Sequence, residues 1–117
     1  MAPEVPTPYG NRVGEGGKAL KKPNIVNFNS KQLGKKWGKH KKDYPDMKSY
    51  TDYQNYANDI FNNPEQIIYD AANNEYLYIK GDDLLRLGED GEFISLYPGA
   101  QSGRVTSAIE NGGTIWP

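Results

Sequence analysis

Cysteine is absent from the 117 residues, and histidine occurs once, at His40. Without thiols there is no disulfide framework and no thiolate metal site, and a single imidazole leaves mainly carboxylates as ligands for a metal. No metal centre and no cofactor are therefore expected, and mechanisms that use two histidines as acid and base are excluded. Apolar residues are also scarce: 36% of the chain is hydrophobic and the mean hydropathy is −0.84, so the core must be modest. No run of about 18 apolar residues occurs, which argues against a membrane span. The opening "MAPEVPTPYG" has neither a basic start nor an apolar stretch, so no signal peptide is expected.

Positive charge is abundant in one segment and scarce in the other. Residues 18–48 hold ten lysines against Asp43 and Asp46, a balance of +8, whereas residues 49–117 hold Lys80, Arg86 and Arg104 against eleven acids, a balance of −8. The net charge of −1 hides this dipole. Such asymmetry points to a polyanionic partner for the basic segment, nucleic acid first and an anionic membrane surface second. The competing explanation is that the two segments neutralise each other within the fold.

The length suits one compact domain with a tail. Residues 1–23 are rich in glycine and proline with few large apolar side chains, and they read as a flexible linker leading into a compact domain over residues 24–117. "NIVNFN" (24–29) reads as a short ordered segment at the start of that domain. Ser30 can cap a helix through about Lys42, with Leu33 and Trp37 on its apolar side, and Tyr44-Pro45 ends it. Ser49 with Asp52 opens a second helix whose apolar stripe is Tyr53, Tyr56, Ala57, Ile60 and Phe61, and Asn62-Asn63-Pro64 stops it. Beyond Pro64 the period changes to two: "QIIYD", "EYLYIKG", "DLLRLG" and "EFISLYPG" read as four strands with turn signals between them. The fold class expected is α+β, with N-terminal helices packed on a four-stranded antiparallel β-meander. Strict alternation places Phe93, Ser95 and Tyr97 opposite Ile94 and Leu96, on a tyrosine-rich outer face shared with Tyr76 and Tyr78. Residues 98–117 read mostly as loop, with one helical turn around 106–110.

The chemistry concentrates in "GKKWGKHKKDYP" (34–45), where five lysines surround His40 and Trp37. On a helix Lys36 and His40 share one face, Trp37 lies three residues from His40, and Lys35, Lys39 and Lys42 line the neighbouring stripe. Like charges hold an imidazole neutral near pH 7, so that it can act as a base, and an incoming phosphate reverses that bias. RNA cleavage without a metal suits one imidazole among ammonium groups: the 2′-hydroxyl attacks its own phosphate, and the cations stabilise the charge that develops. "FISLYPG" offers Ser95 to hold a phosphate oxygen and Tyr97 to stack on a base. Equally open on these residues alone are a solvated lysine face and a non-catalytic RNA-binding module in which Tyr76, Tyr78 and Tyr97 stack on bases.

"KWGKHKKDYP", the segment ending "FNNPEQIIYD" and "FISLYPG" together resemble the C-terminal nuclease domains of bacterial polymorphic toxins. In particular they resemble the colicin D-like transfer RNA nucleases of colicins and contact-dependent growth inhibition proteins, over about residues 30–99. The resemblance implies an α+β fold of the barnase, EndoU, colicin and RelE type. It also implies a metal-independent endoribonuclease that cleaves tRNA, in the anticodon loop, to a 2′,3′-cyclic phosphate and so stops the growth of target bacteria. The partners implied are tRNA, a cognate acidic immunity protein and, as an open question, a translation factor of the target cell. The module would be delivered from the cell surface or by secretion and act in the target-cell cytoplasm. Lys39-His40 matches the family's central pair, and Ser95 matches its serine; Tyr97 stands where the family has tryptophan. The family's earlier lysine is replaced by Trp37, with Lys36 one position away. The catalytic set implied is thus His40, Lys39, Lys36 and Ser95, with Lys35, Trp37, Lys42 and Tyr97 as substrate contacts.

Overall fold

The structure, a computed structural model, describes residues 21–116. The linker expected over residues 1–23 therefore lies almost wholly outside the described residues. Helix α1 (Ser30–His40) begins one residue earlier than Ser30 predicts, because the Asn29 side chain accepts from the Lys31 and Gln32 amides at 3.0 and 3.1 Å. It buries Leu33 and continues as a 3₁₀ turn over Lys41–Asp43. Helix α2 (Tyr50–Asn62) buries Tyr53, Ala57 and Ile60 as its stripe predicts. Its Asp52 carboxylate accepts from the Lys48 amide at 2.8 Å, while the Ser49 hydroxyl makes no capping bond.

The predicted strands form as β1 (Gln66–Asp70), β2 (Glu75–Lys80), β3 (Asp83–Gly88) and β4 (Phe93–Tyr97), an antiparallel meander. Asn74 and Gly81, with φ of 55° and 58°, make the tight turns around β2. Residues 98–116 are more ordered than expected: they hold helix α3 (Gly103–Glu110) and strand β5 (Ile115–Trp116), which pairs with β1. Only Val105 and Ala108 of α3 are buried and β5 has two residues, so neither builds a visible periodicity in sequence. Gly113 permits the closing approach, since a Cβ there would lie 2.2 Å from the Tyr69 carbonyl oxygen. The sheet order is β4-β3-β2-β1-β5.

The two sheet faces differ from the expected assignment. Ile67, Tyr69, Tyr76, Tyr78, Leu85, Leu87, Phe93 and Leu96 form the core beneath α1 and α2, so the tyrosine-rich face is the inner one. Ser95 and Tyr97 lie on the other face, aligned with Arg86 and Leu84 of β3, and not with Tyr76 and Tyr78. The cause is a β-bulge: Arg86 pairs with Ser95 but Leu87 pairs with Phe93, which leaves Ile94 as an extra residue and lets Phe93 and Leu96 point the same way. Gln32 of α1 donates to the carbonyl of Ile94 at 2.7 Å, tying the helix to the bulge. Ahead of α1, Asn27 bridges to the strand segment at Glu92, with Phe28 packed on Phe93, so "NIVNFN" is ordered as expected. The outer face is shared between α3, over Ile68, Leu77, Ile79 and Leu84, and a polar group of Asp70, Glu75, Arg86, Ser95 and Tyr97.

Candidate functional site

Helix α1 lies along β4, the outer strand of the sheet, so that its last turn meets the end of the strand. There the His40 imidazole stacks on the Tyr97 ring, with centroids 5.2 Å apart and planes 17° from parallel. The helix ends at this point because the 3₁₀ turn and Tyr44-Pro45 divert the chain, and the turn brings Asp43 back to within 3.5 Å of His40 Nδ1. With Nδ1 beside a carboxylate, the tautomer favoured carries its proton there and leaves Nε2 as the basic nitrogen.

Burial is the largest effect on His40 and lowers its pKa below the usual histidine range. Lys39 and Lys36 push the same way, while Asp43 opposes them. The sequence predicted the direction; it did not predict that desolvation leads. Lys36 is lowered too, first by burial and then by Lys39, Arg86 and Lys35, which makes its ammonium a readier proton donor than an ordinary lysine.

Of the residues expected in the site, His40, Lys36, Lys39 and Tyr97 come together at this edge. Lys35 and Lys42 are exposed, on the helix and on the turn that follows it. Trp37 faces inward, its ring 5.5 Å from Tyr53, and braces α1 on α2. Ser95 is 1% exposed and its Oγ has no hydrogen-bond partner, so it lies beneath the surface and does not meet solvent. Tyr76 and Tyr78 are 3% and 2% exposed within the core, which removes them as stacking platforms for bases.

Sequence reasoning missed Arg86 and its neighbours. Arg86 Nε and Nη2 donate to the two carboxylate oxygens of Glu75, both at 2.9 Å, and Arg104 of α3 stands 3.7 Å from Glu75 and 3.5 Å from Asp70. Glu75 is the main reason the Arg86 pKa is raised, and Tyr97, the diagonal neighbour of Arg86 on the outer face, adds to it. The available signal was a charge inside "DLLRLG", at a position where period two demands a neighbour on the sheet.

Besides the contact of His40 with Asp43, the ion pairs among the described residues join Lys80 to Asp59, Arg86 to Glu75, and Arg104 to Asp70 and Glu75. None takes a lysine from residues 31–48, so the acidic segment does not neutralise that part of the basic one through direct pairs. Lys31, Lys35, Lys39, Lys41 and Lys42 stay exposed. Among the described residues no three histidine or carboxylate side chains gather to hold a metal ion, and no helix is long and apolar enough to cross a membrane. Compared with protein-family models, curated proteins and solved structures, the chain matches none.

Proposed function

We propose that this domain is an endoribonuclease that cleaves tRNA without a metal ion, using His40 as the base. The observation that carries the reading is the His40–Tyr97 stack, which holds a neutral imidazole, with Nε2 unblocked by Asp43, beside Lys36 and Lys39. His40 removes the proton of a ribose 2′-hydroxyl; O2′ bonds to the adjacent phosphorus, and the bond from phosphorus to the 5′-oxygen breaks. Lys36, whose proton is loosened by burial and by its cationic neighbours, protonates the departing oxygen. The products are a 2′,3′-cyclic phosphate and a free 5′-hydroxyl, and solvent exchange returns both side chains to their starting states. Lys39 and the exposed lysines of the same segment draw in the RNA backbone. Tyr97 positions the imidazole, and Ser95 lies beneath the surface.

The resemblance to colicin D-like toxins supplies the finer part of the reading. The domain then acts as a toxin of bacterial competition, delivered into a target cytoplasm and restrained by an acidic immunity protein covering the lysine segment. Incubating the protein with bacterial tRNA and EDTA, and mapping fragment ends, tests the reaction: cyclic phosphate ends that disappear in His40→Ala are expected. The exposed, unpaired lysines equally suit a non-catalytic RNA-binding module. That alternative predicts salt-sensitive binding with intact RNA.

A further inference from the structure

Arg86 sits where a strand buried on both sides would ordinarily carry an apolar residue. In register it lies between Leu77 of β2 and Ser95 of β4, with Leu85 and Leu87 beside it in the strand, and its side chain is 16% exposed. Glu75 holds it through Nε and Nη2, and Arg104 and Asp70 extend the pair into an alternating row of charges across the outer face. A buried pair serving stability alone can be replaced by apolar residues at little cost, so burial of this pair does not explain itself.

What distinguishes Arg86 is the direction left open. No carboxylate is found for Nη1 among the described residues, Tyr97 is the diagonal neighbour of Arg86 on the same face of the sheet, and Lys36 is close enough to feel the charge of Arg86. Tyr97 thus stands between the His40 imidazole, stacked on its ring, and Arg86, its diagonal neighbour on β3. A guanidinium locked on one side offers its remaining N–H groups in a fixed direction, which suits the oxygens of a phosphate.

We infer that Arg86 is the phosphate-holding residue of this site: Glu75 grips Nε and Nη2, and Nη1 receives a non-bridging oxygen of the phosphate whose 2′-hydroxyl His40 deprotonates. This inference rests on the nuclease reading above. Arg86 keeps its protons throughout and acts by stabilising the charge that builds on the phosphorane-like transition state.

The test compares the wild-type chain, Arg86→Lys and the double variant Arg86→Met/Glu75→Met on bulk bacterial tRNA with EDTA, with thermal melting followed by circular dichroism. Affinity is read separately by fluorescence anisotropy with labelled tRNA in a His40→Ala background. Expected are folded variants whose kcat falls about 10²- to 10³-fold, with KM and tRNA affinity changed only a few-fold, because the exposed lysines supply most of the binding. The double variant removes both charges, so its loss of rate cannot come from an orphaned Glu75. Wild-type kcat in either folded variant overturns the inference, as does failure of both variants to fold, which would make the pair structural. If the wild-type chain leaves tRNA intact, the nuclease reading itself fails and the role of Arg86 falls with it; a cleaving wild type with unchanged variants rejects Arg86 alone.

Discussion

The His40 imidazole and the Tyr97 phenol ring lie nearly parallel, 5.2 Å between centroids, joining the last residue of α1 to the last residue of β4. Such a contact contributes about 0.5–1.5 kcal/mol beyond the area it buries. Tyr97→Ala should therefore lower stability by about 1–3 kcal/mol in urea unfolding, and reduce RNA cleavage at least tenfold. Tyr97→Trp, which keeps a flat ring there, should retain most of both. Equal activity in the alanine and tryptophan variants would show that the stack positions nothing.

Because His40 is the only histidine, one imidazole resonance reports its titration by NMR. Its pKa is lowered in the fold, so activity through the neutral form should rise with pH with a midpoint below the ordinary histidine value of about 6.5. Asp43 supplies both contributions that raise the pKa, its hydrogen bond and its charge, so in Asp43→Asn the acid limb of the rate profile should move to still lower pH. For stability the sign is the same: the unfolded chain binds this proton more tightly, so the fold loses stability as pH falls through the histidine range. An acid limb at or above the ordinary value would contradict the burial and lysine effects seen around His40.

Ser95 presents the opposite case, a buried hydroxyl with no partner. Leaving such a group unsatisfied costs about 1–3 kcal/mol, so Ser95→Ala should leave the melting temperature unchanged or raise it. Cleavage should stay within a few-fold of wild type, because the buried hydroxyl does not reach the surface, and a loss of cleavage in the folded variant would instead place it against the phosphate. A variant that is more stable and fully active would assign Ser95 to packing alone.

Gly34 and Gly38 lie on the exposed side of α1, and a Cβ at either would meet nothing within 4 Å. Each glycine costs the helix up to about 1 kcal/mol relative to alanine, so Gly38→Ala and Gly34→Ala should each raise stability by about that amount. If RNA passes close to this backbone, the same substitutions should weaken tRNA affinity while the fold improves. Anisotropy and urea unfolding on one preparation separate the two effects.

Asp83 accepts hydrogen bonds from both Tyr44 and Tyr56, which ties the segment after α1 and the middle of α2 to the start of β3. Asp83→Ala strands two partly buried hydroxyls and should cost about 2–4 kcal/mol in urea unfolding. Asp83 adjoins Leu84, the partner of Tyr97, and Tyr44 adjoins Asp43, so cleavage per folded molecule should fall as this anchor is lost.

Much of the fold was legible because α2 and the four-strand meander carry clear periods and turn signals: Tyr53, Ala57 and Ile60 at helical spacing, and Asn74 and Gly81 where the backbone needs positive φ. The bulge at Ile94 was not legible, since it depends on pairing with β3, and it reversed the side expected for Phe93. Tyr76 and Tyr78 read as outward for a different reason: β2 is buried on both faces, so its alternation does not tell which face meets the helices. Lysines around a single histidine marked half of the site in sequence. The other half, Arg86 with Glu75, could be seen only when strands eleven residues apart in sequence were laid side by side.

Both margins of the sheet are blunted. At one margin β5 is two residues long; at the other, β4 is met by Asn27 and by the Gln32 side chain that occupies the Ile94 carbonyl. A foreign strand approaching either margin finds few free amides to zip onto, a protection against intermolecular sheet growth. Association with another macromolecule then falls to side chains, and α1 offers a ridge of exposed lysines for it.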